Sequence, residues 1–423
     1  MNLHNFKNYK TIIQNTGYLS VMEVIRLAMP FIALPYIIAT IGAENYGLAV
    51  FSQTIISYFI IFINFGLDVS AVKDISIHRH NKLELNRIVS SVLLIKLSLL
   101  AISFLILVCG LLVIPFLKIH KTLFLFAFLA CFSELLFPIW YYQGIEKMKY
   151  LTVIKTSSIL FYTVSVFLFV HVPQHYIRVV LLQSLGNIFA GGLSFYLLLY
   201  VEKVKFIIPD STFLKRTFTD SVPFFFSRLS VVLNGALAKT VSGIFFSMNA
   251  VAAFDLAQKI ANIALVPAQM MNQAVYPHIA KTQDRHFASQ FLKINVLVSC
   301  VVTLCMYLLA PFAVTFFAKG QLSESVSLIR ILSLWTFTAS LTTYLGSPVL
   351  VSFGYPKPFN RSVILSTIVL FIVYGILYFA NLFTIYNFAF ALFFAELVIL
   401  IYRGYFGLYY NIFTYNERFK RKI

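Results

Sequence analysis

The chain is 423 residues long, 60% hydrophobic and only 11% charged, with 33 Lys+Arg against 15 Asp+Glu and a formal net charge of +18. Soluble domains average about 45–50% apolar and about 25% charged residues, so a water-soluble fold is excluded: its surface could not hide this much hydrocarbon. The basic excess does not point to nucleic acid either, because the positive residues cluster in short connections between apolar runs, where they orient membrane helices.

A spanning helix needs about 20 mostly apolar residues. In chain order such runs fall at 14–39, 48–67, 88–113, 122–142, 151–171, 177–200, 217–246, 250–274, 288–312, 326–352, 360–380 and 385–410. The first is longer than the apolar core of a cleavable signal, so it is expected to stay in the membrane. The longest connection, 201–216, is too short for an extramembrane domain. The reading is therefore an all-α integral membrane protein of about twelve helices: an N-terminal six-helix bundle (1–200), a cytoplasmic linker (201–216) and a C-terminal six-helix bundle (217–423). Cys109, Cys131, Cys300 and Cys305 all lie in apolar runs and read as small buried hydrophobes.

Alternate connections differ sharply in Lys and Arg. One set holds twenty, including Lys73, Arg79, Lys82, Arg87, Lys203, Lys205, Lys215 and Arg216; the other holds only Lys118, Lys121, Arg178 and Lys319. The positive-inside rule then puts both termini in the cytoplasm. A weak internal repeat accompanies this: Ile41–Ile55 lies over Phe246–Ile260, placing Gln53 over Gln258, and Gly144–Ile154 lies over Gly354–Ile364. Both offsets map the first half onto the second in the same orientation, which implies a parallel repeat about an axis along the membrane normal.

Charges deep in spans are costly, about 2.5–3.5 kcal/mol each even on the lenient insertion scale. Counting 1.5 Å per residue, Arg26 in the first span, Arg228 in the seventh and Lys259 in the eighth fall near the midplane. Lys96 is slightly shallower, and Lys239 lies toward the outer end of the seventh span. Lys155, Lys293, Arg330 and Arg403 lie close enough to span ends to snorkel. The acids at depth are Glu23, Glu134, Asp255 and Glu396, candidates for ion coupling or for charge pairing; Glu23 with Arg26 and Asp255 with Lys259 have the spacing of helix-face pairs. A shared aqueous cavity is the cheapest home for so many charges. The five bases make that cavity cationic, suited to an anionic group such as phosphate or pyrophosphate. Prolines interrupt the same helices: Pro30 and Pro35, Pro223, and Pro267. The run Gly186–Gly192 reads as a close-packing face.

The stretches IGAENYGLAVFSQTI (Ile41–Ile55), FGLDVSAVKDIS (Phe65–Ser76), PIWYYQGIEKMKYLTVIK (Pro138–Lys155) and AVYPHIAK (Ala274–Lys281) resemble those of O-antigen and capsule repeat-unit flippases. These form the polysaccharide-transporter, Wzx-type branch of the multidrug/oligosaccharidyl-lipid/polysaccharide exporter superfamily. The likeness covers most of the chain and is strongest in the first half. It implies two six-helix bundles that alternate access, and a cargo of undecaprenyl-pyrophosphate-linked oligosaccharide turned from the cytoplasmic to the periplasmic leaflet of the bacterial inner membrane. It also implies that Arg26 and Lys259 line the cationic cavity; Arg228, Lys96 and Lys239 rest on depth alone. The polymerase and chain-length regulator of such a pathway are the expected protein partners, and no cofactor or metal is expected. The motif Gln143–Lys149 reads as a structural turn rather than a site.

Two rival functions fit the sequence less well. A drug/cation antiporter of the same superfamily would favour an acidic cavity, whereas bases outnumber acids at the midplane here. A membrane polysaccharide polymerase would need a large external loop, and none exceeds about 15 residues. The sequence contains neither a His-Glu-x-x-His pattern nor a phosphate-cradling glycine loop, so enzymatic chemistry and direct use of ATP are not expected.

Overall fold

The computed structural model of the protein describes residue 29 and residues 31–413. Among them every regular element is helical, as backbone crossing hydrocarbon must be when water cannot satisfy its N–H and C=O groups. Eleven helical segments are long and apolar enough to span a bilayer, and a shorter apolar helix precedes them. The N-terminal part of the expected first span lies outside the described residues, as does the chain beyond residue 413.

In chain order the helices are α1 (Phe31–Ile41), α2 (Ala43–Asn64), α3 (Leu67–His78), α4 (Lys82–Val113), α5 (Pro115–Ile119), α6 (Lys121–Leu136), α7 (Ile139–Gly144), α8 (Met148–Phe169) and α9 (Tyr176–Tyr196). There follow α10 (Ser211–Phe245), α11 (Met248–Ala264), α12 (Val266–Thr282), α13 (Arg285–Ala318), α14 (Glu324–Tyr344), α15 (Pro356–Phe379) and α16 (Ile385–Tyr409). Two compact units are distinguished, Met1–Val232 and Leu233–Ile423, the division falling inside α10.

In the first unit, α2 and α3 form one span broken at a left-handed corner, with φ 45° at Phe65 and 71° at Gly66. Positive φ is cheap at Gly66 because it lacks a Cβ. Space demands glycine too: a Cβ would lie 2.6–2.7 Å from the Phe225 nitrogen, the Phe224 Cβ and the Ser221 carbonyl oxygen. The start of α10 is thus seated on this corner. Phe65 stacks on Phe218 and Phe225 with ring centroids at 4.4 and 4.6 Å, and the Ser70 and Ser221 hydroxyls meet at 2.7 Å.

A second corner carries the aromatic-Gln-Gly motif. Trp140 and Tyr142 are fully buried, and the Tyr142 hydroxyl donates to the Ser194 carbonyl at 2.6 Å. Glu146 takes a left-handed φ of 61°. Arg79 pairs with Glu146 at 3.3 Å and Lys147 with Glu202 at 2.6 Å. The motif builds a packed turn. The glycine run of α9 behaves likewise: a Cβ at Gly191 would stand 2.8 Å from the Leu136 Cβ, so glycine lets α9 approach α6 closely.

After α9 and a π-helical turn (Leu197–Val201), the non-helical segment 203–210 runs along α4. The Lys205 and Ile207 amides donate to Asn86 Oδ1 and Ser90 Oγ, both at 3.0 Å. Two residues of extended chain advance about 6.6 Å and one i to i+4 helical step about 6 Å, so the acceptors come at the right interval. These side chains satisfy amides that hydrocarbon would leave orphaned. Arg87 closes the segment's far end on Asp210 at 2.8 Å.

In the second unit, α11 and α12 divide at Leu265, with Pro267 in the first turn of α12. Side chains of Ser247, Asp284 and Thr384 cap α11, α13 and α16. The unit's centre is α14, which packs on α11, α13 and α16 and passes into a π-helical segment, Leu345–Val351, containing Pro348. On α13, Leu304, Leu308 and Phe312 are exposed; such a hydrocarbon surface belongs in lipid. The chain is a multi-pass membrane protein.

Candidate functional site

Charged side chains inside apolar helices are where function is expected. Arg26 and Glu23 lie outside the described residues; the other seven candidates are described.

In the second unit, Lys239 on α10 and both Asp255 and Lys259 on α11 come together. Asp255 is 6% exposed at its side chain and accepts from two ammonium groups, Lys259 Nζ at Oδ2 (2.7 Å) and Lys239 Nζ at Oδ1 (3.2 Å). The Lys259–Asp255 contact follows from their spacing on one helix face; Lys239 comes from the preceding helix. The cluster keeps one positive charge in excess. Lys259 is the open member, 38% exposed against 18% for Lys239. Beside it the Gln258 amide donates to the Gly235 carbonyl at 3.0 Å, holding α11 against the Asn234-Gly235 step of α10. An anion approaching here meets Lys259 first, while Asp255 fixes both lysine side chains.

Lys96 and Arg228 are in the first unit and do not form a comparable cluster. Lys96 is only 2% exposed. Its ammonium donates to Asn64 Oδ1 at 2.6 Å and to the Glu134 carbonyl at 3.2 Å, while Asn64 Nδ2 donates to Glu134 Oε2 at 2.9 Å. Asn64 therefore bridges the ammonium and the carboxylate, tying α2, α4 and α6 together. Arg228 on α10 pairs with Asp68 on α3 at 3.2 Å and is half exposed.

Glu396 on α16 accepts a hydrogen bond from the Thr342 hydroxyl of α14. Arg403, two turns further along α16, donates to the Thr342 carbonyl at 2.6 Å and to Ser362 Oγ at 2.9 Å, and lies over the Phe359 ring at 4.6 Å. It is 6% exposed, so the expected snorkelling role of Arg403 is corrected: the side chain turns into the protein because α14 and α15 supply acceptors there. Asn64, Asp68, Thr342 and Arg403 escaped the sequence reading. Position near a span end disguised Arg403 and Asp68, and uncharged Asn64 and Thr342 carry no depth penalty that would single them out. Among the described residues no group of three or more His, Cys, Asp or Glu could hold a metal ion.

The repeat-matched glutamines differ in their bonds. Gln53 donates to Gln183 Oε1 across α2 and α9 at 2.7 Å, whereas Gln258 reaches a backbone carbonyl.

Comparison with known proteins agrees with this architecture. The chain is 24% identical over 363 residues to an Escherichia coli (strain K12) protein named "Putative O-antigen transporter", covering 84% of this chain and 88% of that protein. A Shigella dysenteriae protein of the same name is 25% identical, covering 80% and 86%. Among solved structures, the lipid II flippase MurJ in an inward closed conformation superposes with a TM-score of 0.75 at 14% identity, covering 93% of this chain and 87% of that one. An inward-facing multidrug resistance MATE transporter of the MOP superfamily gives 0.71 at 15% identity, covering 94% and 98%. These two likenesses concern the fold. The sequence itself matches the model of the polysaccharide biosynthesis protein family over residues 12–283, well over half its length, and the chain therefore belongs to that family of membrane proteins.

Proposed function

We propose that the protein is a flippase that carries undecaprenyl-pyrophosphate-linked oligosaccharide repeat units from the cytoplasmic to the periplasmic leaflet of a bacterial inner membrane, by alternating access through a cationic cavity. It is a transporter, not an enzyme. The observation that carries the reading is the Lys239–Asp255–Lys259 cluster, a net-positive, partly open group on membrane helices of a polysaccharide biosynthesis family member. The similarity to proteins named for O-antigen transport supports the cargo class. A pyrophosphate needs cationic partners once it leaves water, and its sugars need polar ones: each unpaired hydroxyl costs about 1–3 kcal/mol.

In this reading Lys259 and Arg26 receive the pyrophosphate, Lys239 and Arg228 add to the positive field, and Lys96 steadies the helices. The six-helix halves 1–200 and 217–423 flank the linker 201–216, and the polymerase and chain-length regulator act on the delivered units. The test is complementation of a deletion strain that lacks a redundant flippase. Lys259→Ala or Arg26→Ala is expected to cut surface polysaccharide at least tenfold, with normal membrane levels of the protein and lipid-linked units retained at the cytoplasmic face. Normal surface glycan in the deletion strain itself, joined to new sensitivity to cationic drugs, would transfer the assignment to drug antiport.

A further inference from the structure

A cavity of about 300 Å³ opens in the first unit between α4, α6, α9 and the non-helical segment 203–210. None of the charged residues discussed above lines it. Leu94 and Leu97 of α4, Leu135 and Leu136 of α6, and Phe206 of the segment carry its wall, and Ser90 is its one polar lining residue. The Ser90 hydroxyl already accepts the Ile207 amide. A buried water needs two to four polar partners, and beyond the remaining capacity of this single hydroxyl the lining side chains offer none. The rim is open and apolar: Leu94, Leu97 and Phe206 are exposed, and Ile208 is 96% exposed. In a membrane an empty apolar crevice would forfeit dispersion contacts along its whole lining, so hydrocarbon fills it. The volume is at the lower end of the ligand-pocket range of roughly 300–1,000 Å³.

The charge at its mouth says which hydrocarbon. Lys203 and Lys205 are exposed, and neither has an acidic partner within 4.0 Å among the described residues, whereas neighbouring Arg87 is taken by Asp210 and Glu84. The Lys205 backbone is pinned beside Asn86, one turn of α4 before Ser90. From Ser90 the lining continues for seven residues to Leu97, about 10 Å at 1.5 Å per residue. The Lys205 backbone thus lies at the Ser90 end of an apolar channel about 10 Å long, with exposed Lys203 two residues before it in the chain, an arrangement compatible with an anionic headgroup site above an acyl-chain slot.

We propose that this cavity is a binding site for an anionic membrane phospholipid, with one acyl chain along Leu94 and Leu97 and its phosphate at Lys203 and Lys205. The bound lipid completes the surface between α4, α6 and the linker segment. The inference does not depend on the cargo assignment.

Native mass spectrometry of the full chain, released from nanodiscs of equal phosphatidylglycerol and phosphatidylcholine, tests it. The wild type is expected to retain one phosphatidylglycerol at least fivefold over phosphatidylcholine. The doubly substituted Lys203→Gln, Lys205→Gln protein should lose that preference; both residues are surface-exposed, so its fold is safe. Leu97→Trp, which fills the slot, should lower total retained lipid at least fivefold with melting behaviour unchanged. A second readout uses Phe206→Trp, whose added fluorescence should be quenched more by chain-brominated phosphatidylglycerol than by brominated phosphatidylcholine. Equal retention of both lipids by the wild type overturns the proposal. So does an unaltered preference in the double variant, or displacement of phosphatidylglycerol by equimolar undecaprenyl phosphate, which would assign the slot to the carrier lipid.

Discussion

Lys96 and Lys259 are each answered by a short list of atoms, and the lists separate two kinds of charge. Lys96 is enclosed, its ammonium satisfied by Asn64 and the Glu134 carbonyl. Lys259 is held by Asp255 and is 38% exposed at its side chain. Lys96→Met keeps the volume but strands Asn64 Oδ1, the Glu134 carbonyl and a carboxylate. Each buried group left without its partner costs about 1–3 kcal/mol, so the Lys96→Met protein is expected to unfold several degrees earlier in detergent. Lys259→Met removes a partly solvated charge and leaves Asp255 the Lys239 ammonium, so it should lower the unfolding temperature clearly less than Lys96→Met and lose export instead. A thermal shift assay beside the export assay checks the contrast; equal destabilisation by the two substitutions would make Lys259 a structural charge as well.

Among the elements, the π-helical end of α14 shows how one position governs a helix contact. A Cβ at Gly346 would lie 2.7 Å from Arg403 Nη1 and 2.8 Å from the Phe359 ring. Gly346→Ala must therefore push Arg403 off the Thr342 carbonyl or move α15. Overpacking of this kind costs typically 1–3 kcal/mol. Because both changes act on one contact, Arg403→Ala and Gly346→Ala are expected to be strongly non-additive: once Arg403 is removed, the alanine should cost less than half as much. A double-mutant cycle on unfolding free energy measures this, and additive effects would mean that Phe359, not Arg403, is the obstacle. The linker segment belongs to the same scale. The hydropathy pattern left 201–216 as an undifferentiated connection; Asn86 and Ser90 make it a strap laid along α4.

For the whole molecule, the excess of Lys and Arg in alternate connections predicts that 73–87, 203–216 and the C-terminus share the cytoplasmic side. Cysteines introduced at Lys82 and Lys215 should label only after the inner membrane is permeabilised; labelling of Lys215→Cys in intact cells would overturn the two-bundle arrangement. The sequence by itself determined that the protein crosses a membrane many times, that the regular structure of the described residues is helical, and that Asp255 meets Lys259. These are properties of about twenty consecutive residues or of one helical turn, and hydropathy and spacing record them directly. Only the tertiary structure decided that Arg228 meets Asp68, that Asn64 joins Lys96 to Glu134, and that Arg403 turns inward. Those partners are far apart in the chain, and their meeting depends on how each helix is rotated about its axis and where it breaks. Depth in the membrane carries no information about rotation, so a ledger of buried charges could name the charges and not the atoms that answer them.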